Sequence, residues 1–368
     1  MLIHLGLCRF AEEQIKFEKN YEPVFQENDL LWVCVLNQLN HYTADSPSIT
    51  VNTPFYVYTL LHWQILSQLI SLSENKENLV SFEQPKYIQS YTFVPPHISL
   101  VDSHFHLDML SKIFGDDTLP PYQWRWGGID YSISHLITNY CYPRNWPSSK
   151  IRSRVREDPR IKFTYRIHPR IVTLERTSTL NNWIDDLDHK LNTTKVVAVG
   201  ECGLDSTDLK TDINKQLEYF EKQIVLAVKK NLPLVIHCRG DKRLDEQCLN
   251  SLTRILPRDF KIHRHGFNGK PDTYNKWKVA FPNWKFGVSP FILLEEKYPD
   301  FRSLLCHMQL KDLILETDAP YLHTPAEKFG SSMLLQDIAT KITSVFSCSF
   351  NDVVETTTRN ALQLYNIE

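Results

Sequence analysis

The residues with the clearest chemical use are imidazoles and carboxylates at recurring positions. Asp102-Ser103-His104-Phe105-His106 places two histidines two residues apart, and in an extended strand such residues face the same side. Further donors close other short apolar runs: Glu201 in Gly200-Glu201-Cys202-Gly203-Leu204-Asp205, His237 in His237-Cys238-Arg239, His265 in His263-Arg264-His265-Gly266-Phe267, and Asp318 in Glu316-Thr317-Asp318. Four imidazoles and two carboxylates are suitable donors for two divalent ions, with one carboxylate bridging. A single histidine at a strand end is commonly a structural hydrogen-bonding residue, and an isolated His-x-His says little. The recurrence of such donors after successive runs is what points to a metal centre.

Those donors need elements to bring them together. Eight short apolar runs read as strands: Ile98–Val101, Ser134–Tyr140, Ile161–Ile167, Val196–Val199, Leu232–Ile236, Phe260–Ile262, Lys285–Val288 and Leu313–Leu315. Amphipathic stretches lie between them. The clearest runs from Asp212 to Lys230, where Ile213, Leu217, Phe220, Ile224 and Ala227 recur at helical spacing. Eight strands alternating with helices predict a (β/α)8 TIM barrel, whose catalytic groups gather at the C-terminal strand ends. No Gly-x-Gly-x-x-Gly follows the first strand, so a doubly wound dinucleotide-binding sheet has no fingerprint here.

Residues 1–96 have a different texture. They carry five basic and ten acidic side chains, against 36 and 33 in residues 97–368, and the whole chain has a formal charge of −2. The boundary falls at Pro95-Pro96. We expect a small, mostly helical N-terminal module over 1–96, with helices at Asp29–Leu39 and from Thr53-Pro54 to about Leu72, and the barrel over 97–368. The near-neutral total excludes a strongly basic nucleic-acid-binding domain but not charge supplied locally by metal ions. The charge-free stretch Ser46–Ser73 contains Asn52, His62, Gln64 and Gln68, which favours a buried helix over a membrane span. Eight scattered cysteines without a Cys-x-x-Cys pair, and no secretory signal, point to a reducing intracellular compartment, nucleus or cytoplasm.

Four segments together resemble a known family. Asp102–Asp108, Gly200–Asp205, Leu232–Arg239 and Leu315–Tyr321 look like the motifs of TatD-type metal-dependent deoxyribonucleases, with weaker matches at Ile167-His168-Pro169, His265-x-Phe267-x-Gly269 and Asn360. The resemblance extends from about Val101 to Glu368, and the N-terminal extension resembles that of larger animal members. It implies a TIM-barrel hydrolase of nucleic-acid phosphodiesters, related to the amidohydrolases, with two divalent cations (Mg²⁺, Mn²⁺ or Zn²⁺). On this resemblance His104, His106 and Asp318 hold one ion, Glu201 bridges, and His237 with His265 hold the second. Glu201 and Asp318 are the catalytic candidates, Asp318 as acceptor of the attacking water's proton. Three departures bear on substrate preference: Ser206 where a tyrosine is frequent, Arg166 where glycine usually precedes Ile-His-Pro, and Gly266 where cysteine commonly follows the histidine.

Several residues keep two readings. Arg239 faces the same side as His237 and is either a phosphate clamp or a partner of a rim carboxylate such as Asp205. His168 is a substrate contact or a structural hydrogen-bonding residue. Trp124 and Arg125, with Trp126, Tyr142, Arg144 and Trp146, are a stacking surface for nucleotide bases or side chains that pack loops onto the barrel. Arg152, Arg154, Arg156 and Arg160 read as a solvated helix face. His263 alternates onto the same side as His265, which is preferred because it begins the His-x-Phe-x-Gly pattern. Cys202 and Cys238 alternate away from the donors and read as packing residues. The leading function is a metal-dependent nuclease of DNA or RNA. The alternatives are a dinuclear-metal hydrolase of a small amide, lactone or phosphoester, and a non-catalytic scaffold.

Overall fold

The computed structural model describes residues 99–114, 123–126, 129–146, 158–208, 210–325 and 329–367. The helical module expected over 1–96 and the stretch Ser46–Ser73 lie outside the described residues, as do Arg152, Arg154 and Arg156. The chain divides into two compact units, Met1–His97 with Pro121–Ser132, and Ile98–Pro120 with Ile133–Glu368. In the first unit the short strand β2 (Gln123–Trp126) pairs antiparallel with the opening residues of β3 (Ile129–Tyr140). Trp124 and Arg125 lie on β2, with their side chains outside the described residues.

The second unit is the barrel. Its strands are β1 (Ser99–Phe105), the later part of β3, β4 (Ile161–Tyr165), β5 (Val196–Asp205), β6 (Leu234–Arg239), β7 (Ile262–Arg264), β8 (Lys285–Val288) and β9 (Leu313–Leu315), hydrogen-bonded in that order. Every pairing from β3 to β9 is parallel. The ring closes between β9 and β1, where the Ser103 hydroxyl donates to the Leu315 carbonyl at 2.6 Å and the Asp318 N–H donates to the His104 carbonyl at 2.8 Å. All eight runs read from the sequence are strands, and the fold is the expected TIM barrel.

The described α-helices are α1 (Leu107–Phe114), α2 (Pro169–Leu174), α3 (Thr177–Lys190), α4 (Ile213–Lys230), α5 (Lys242–Ile255), α6 (Pro271–Ala280), α7 (Asp300–Cys306), α8 (Leu334–Phe346) and α9 (Phe350–Tyr365). The α4 boundaries follow from local chemistry. The Asp212 carboxylate caps the Lys215 N–H at 3.0 Å, and Asn231 ends the helix in the left-handed region at φ 53°. Its buried face includes Phe220, Ile224 and Ala227, but also Gln216 and Gln223. Those amides leave the apolar pattern because they hold strand ends: Gln223 accepts the Ile167 N–H at 2.8 Å and Gln216 accepts the Asp205 N–H at 2.8 Å. α9 starts with a Ser349–Asp352 capping box. It delivers Asn360, whose amide donates to the Leu313 carbonyl at 2.7 Å.

Glycine is required where β5 meets β6. Gly200 and Gly203 have φ of 141° and 146°, and a Cβ on either would collide with the backbone of Val235 or His237. Between them the register shifts: Gly200 pairs with Val235 and Cys202 with Ile236, leaving Glu201 as the extra residue of a bulge. A bulge re-aims a side chain, and this one carries a candidate catalytic carboxylate.

Candidate metal centre

The six expected donors come together. His104 is the penultimate residue of β1 and His106 follows the strand; Glu201 stands on the β5 bulge, His237 on β6, His265 just beyond β7 and Asp318 beyond β9. His104 Nε2 lies 2.6 Å from Glu201 Oε2. His265 Nε2 lies 3.2 Å from the same oxygen and 3.8 Å from Asp318 Oδ1, and its ring stacks on His104 at 3.6 Å. His106 Nε2 is 3.2 Å from Asp318 Oδ1. His237 Nδ1 faces the other carboxylate oxygen, Glu201 Oε1, at 3.6 Å. All six are buried. Asp318 sits at φ 52°, an uncommon conformation for a non-glycine residue. That turn sends its carboxylate to His106 and not to the N-terminus of any described helix.

Outer partners decide which ring nitrogen looks inward. The Asn139 carbonyl accepts from His106 Nδ1 at 2.9 Å, Asp205 from His237 Nε2 at 3.1 Å, and Glu316 from His265 Nδ1 at 3.0 Å. In the neutral rings of His237 and His265 the remaining nitrogen then presents a lone pair to the centre. Burial holds the pKa of His104 well below the ordinary range. Burial also lowers that of His237 to about 3, against the pull of Asp205. Asp318 is held below the usual carboxylate range because His265 and His106 outweigh its burial. His106 goes the other way: burial opposes its protonation, but Cys141 and Asp318 raise its pKa well above the ordinary value. Glu201 Oε2 is buried with no hydrogen-bond donor while two imidazole nitrogens face it. Inward lone pairs and anionic oxygens repel one another unless a cation lies between them, so the donor set fits a divalent ion.

His263 is distinguished from His265 by its partners. Its Nδ1 meets the Tyr365 hydroxyl at 2.6 Å and its Nε2 meets Glu316 at 2.9 Å, so both nitrogens are engaged. Cys202 is wholly buried, its thiol pushed up to about 12 by desolvation, as expected of a packing residue.

Other expectations resolve individually. His168 caps α2, its Nδ1 accepting the Arg170 N–H at 3.0 Å. The proton of the neutral ring is therefore on Nε2, which lies 4.0 Å from Glu201 Oε1. Arg239 is exposed at the end of β6, and Arg170, not Arg239, pairs with Asp205 at 3.0 Å. Trp146 is buried and donates to the Tyr140 carbonyl at 3.1 Å, which is the packing reading. Tyr142 lies parallel to the His168 ring at 6.0 Å. Arg144 pairs with Glu175 at 2.6 Å. Arg160 corrects the solvated-face expectation: it lies just before β4 and is buried, its guanidinium bound to the buried Asp158 carboxylate at 2.7 Å.

Four residues of the centre escaped the sequence reading. Glu316 and Asp205 orient His265 and His237, and each stood inside a quoted motif one or two positions from a predicted donor or turn. Asp102 is wholly buried and takes the Thr317 and Ser332 hydroxyls at 2.7 and 2.6 Å. Arg166 is wholly buried, its Nη2 paired with Glu201 Oε1 and its Nη1 donating to the Glu201 backbone carbonyl. Its place before Ile167-His168-Pro169 was the only signal.

The family described as TatD related DNase matches residues 101–366. The human 3'-5' RNA nuclease TATDN2 is 32% identical over 224 residues, 60% of this chain and 28% of that protein. The 3'-5' ssDNA/RNA exonuclease TatD of Yersinia pseudotuberculosis is 31% identical over 146 residues, 39% of this chain and 54% of that protein. The chain thus covers between about a quarter and about half of the length of these two relatives. Among solved structures, the Escherichia coli TatD homolog YJJV superposes with a TM-score of 0.58 at 19% identity, covering 73% of this chain and 98% of that one. A TatD family hydrolase of Entamoeba histolytica gives 0.55 at 21% identity, covering 72% and 97%. Both share the fold.

Proposed function

The chain belongs to the TatD related DNase family, and on that footing we propose that it is a metal-dependent nuclease that hydrolyses phosphodiester bonds of DNA or RNA. The observation that carries this reading is the buried cluster of imidazoles and carboxylates around the undonated Glu201 Oε2, which His104 Nε2 and His265 Nε2 face. His104, His106, Asp318 and Glu201 hold the first cation. His237 and His265, with the remaining Glu201 oxygen, form the second position. Mixed imidazole and carboxylate donors suit Mn²⁺ or Zn²⁺ better than Mg²⁺. Bound there, a divalent ion supplies positive charge to the scissile phosphate and acidifies a water.

The residues do the rest. Asp318, anionic at neutral pH, accepts the proton of the attacking water. Glu201 fixes the centre from the β5 bulge. Arg239, exposed and free of any ion pair among the described residues, reaches a non-bridging phosphate oxygen. The His168 Nε2–H donates to a second one, and Tyr142 beside it offers a face to a base. Trp124 and Arg125, on β2, are further candidate substrate contacts.

The human relative is named a 3'-5' RNA nuclease and the Yersinia one a 3'-5' ssDNA/RNA exonuclease, which supports degradation of RNA or single-stranded DNA from the 3′ end. No described helix is long and apolar enough to cross a membrane. A panel of 3′- and 5′-labelled single- and double-stranded DNA and RNA, with and without chelator, tests the proposal. Metal-dependent shortening from the 3′ end is expected. Cleavage that persists in metal-free protein, or turnover confined to small esters, would overturn it.

A further inference from the structure

We propose that Arg166 is a built-in replacement for the second cation, so that the chain holds a single divalent ion. The inference rests on the metal-dependent reading and narrows its two positions to one. A carboxylate that bridges two ions must offer one oxygen to each. Here the two oxygens of Glu201 have different surroundings. Oε2 accepts no hydrogen bond and faces His104 Nε2 at 2.6 Å and His265 Nε2 at 3.2 Å. Oε1 is already paired with the Arg166 guanidinium.

Arg166 is confined to the interior, where Cys141 is its other hydrogen-bonding neighbour. It has no exposed surface, and guanidinium remains protonated in proteins, so withdrawing it from Glu201 would strand a charge in the interior. Its Nη1 also donates to the Glu201 backbone carbonyl. The guanidinium therefore spans carboxylate and main chain at the bulge and fixes which oxygen it takes. The other group on that side, His168, presents an Nε2–H and not a lone pair, since its Nδ1 accepts the Arg170 N–H. At the second position that leaves His237 Nδ1, 3.6 Å from Oε1, and His265 Nε2, which lies nearer Oε2 at 3.2 Å. Two imidazoles whose carboxylate oxygen is already held by a fixed cation make a poor site for a dication. The first position keeps His104, His106, Asp318 and Glu201 Oε2. The class of ligand is unchanged, but the positive charge that a second ion would bring to the substrate phosphate is carried by the protein.

The test is metal stoichiometry. Chelator-treated full-length protein is titrated with Mn²⁺, followed by calorimetry and by electron paramagnetic resonance, with cleavage measured on the same samples. Wild type is expected to take one Mn²⁺ with a spectrum free of exchange coupling. Arg166→Met, which keeps the bulk and removes the charge, is expected to take two and to show a coupled pair. Arg166→Lys, which keeps the charge, is expected to stay at one. Two coupled ions in the wild type would overturn the inference while leaving the nuclease reading intact, and this arm needs no variant to fold. One ion without cleavage of any nucleic acid would sink the nuclease reading and leave the inference standing. A folded Arg166→Met protein that still takes one ion would also count against Arg166.

Discussion

The same strands serve two opposed environments a few residues apart. Val101, Ile137, Ala198, Val235 and Ile314 are buried in an apolar cluster that α9 covers with Ala361, Leu364 and Tyr365. Two to four positions downstream, those strands deliver His104, Asn139, Glu201, His237 and Asp318, equally buried but polar. The first region gains from removing apolar surface from water, about 25 cal/mol per Å². The second gives up hydration of charged groups, which costs free energy unless they are paired or bind a cation. The difference teaches that cohesion and chemistry are segregated along each strand. The apolar cluster stabilises the barrel, and the polar ends can then be arranged for binding.

That division is open to attack from either side. The largest expected effect is on catalysis: Glu201→Gln should lower cleavage by on the order of 10³ or more while circular dichroism and the gel-filtration volume stay those of the wild type. If that variant fails to fold, the polar end is also holding the barrel together. On the other side, Leu364→Ala should cost about 2–5 kcal/mol in denaturant unfolding. The surviving folded fraction should bind Mn²⁺ as the wild type does; a matching loss of metal affinity would dissolve the segregation. Glu316→Gln sharpens the boundary, because it leaves all six donors in place but weakens the anion that orients His265. Metal affinity should fall by about 10–100-fold, read by competition with a chromophoric chelator.

The smallest effect is the pH dependence of the metal-free protein. His237 titrates near 3 when folded, and burial also lowers His104 and His263 from their ordinary value near 6.5. Below about pH 6.5 the unfolded chain protonates these imidazoles and the folded chain does not, so their contribution to stability falls as pH drops, for His237 down to about pH 3. His106 and Asp102, whose pKa values are raised, bind protons in the folded state and offset part of the fall. Thermal midpoints measured between pH 7 and pH 5 should decline steadily. A midpoint independent of pH over that window would mean these imidazoles are hydrated in solution, and the polar end would not be buried.

Much of this was legible in the amino-acid order. The eight strands announced themselves because parallel barrel strands are apolar on both faces, and the donors because they recur at strand ends. His265 was preferred over His263 on its motif, and the two partners of His263 give the physical reason. Other residues were invisible because their roles depend on distant neighbours. Asp102 meets Ser332 across 230 residues, and Gln216 and Gln223 look like defects in an apolar face until the strand ends they hold are known. Arg166 read as a pocket-shaping departure, whereas its guanidinium reaches beneath β5 to Glu201. Arg160 looked solvated because it sits in a basic run, and only the fold brings it under cover.

The seam of the barrel has one further consequence. His106 and Asp318 lie at its two lips, 212 residues apart in sequence and 3.2 Å apart in space. An ion taking both would act as a clasp on the first and last staves of the ring, closing one of the longest loops the chain makes. Closing such a loop carries an entropic cost that grows only slowly with its length, and ligation at the lips would offset it with binding energy. Amide hydrogen exchange should report this directly. Chelation is expected to speed exchange along β1 and β9 before it reaches β5 and β6 on the opposite side of the ring.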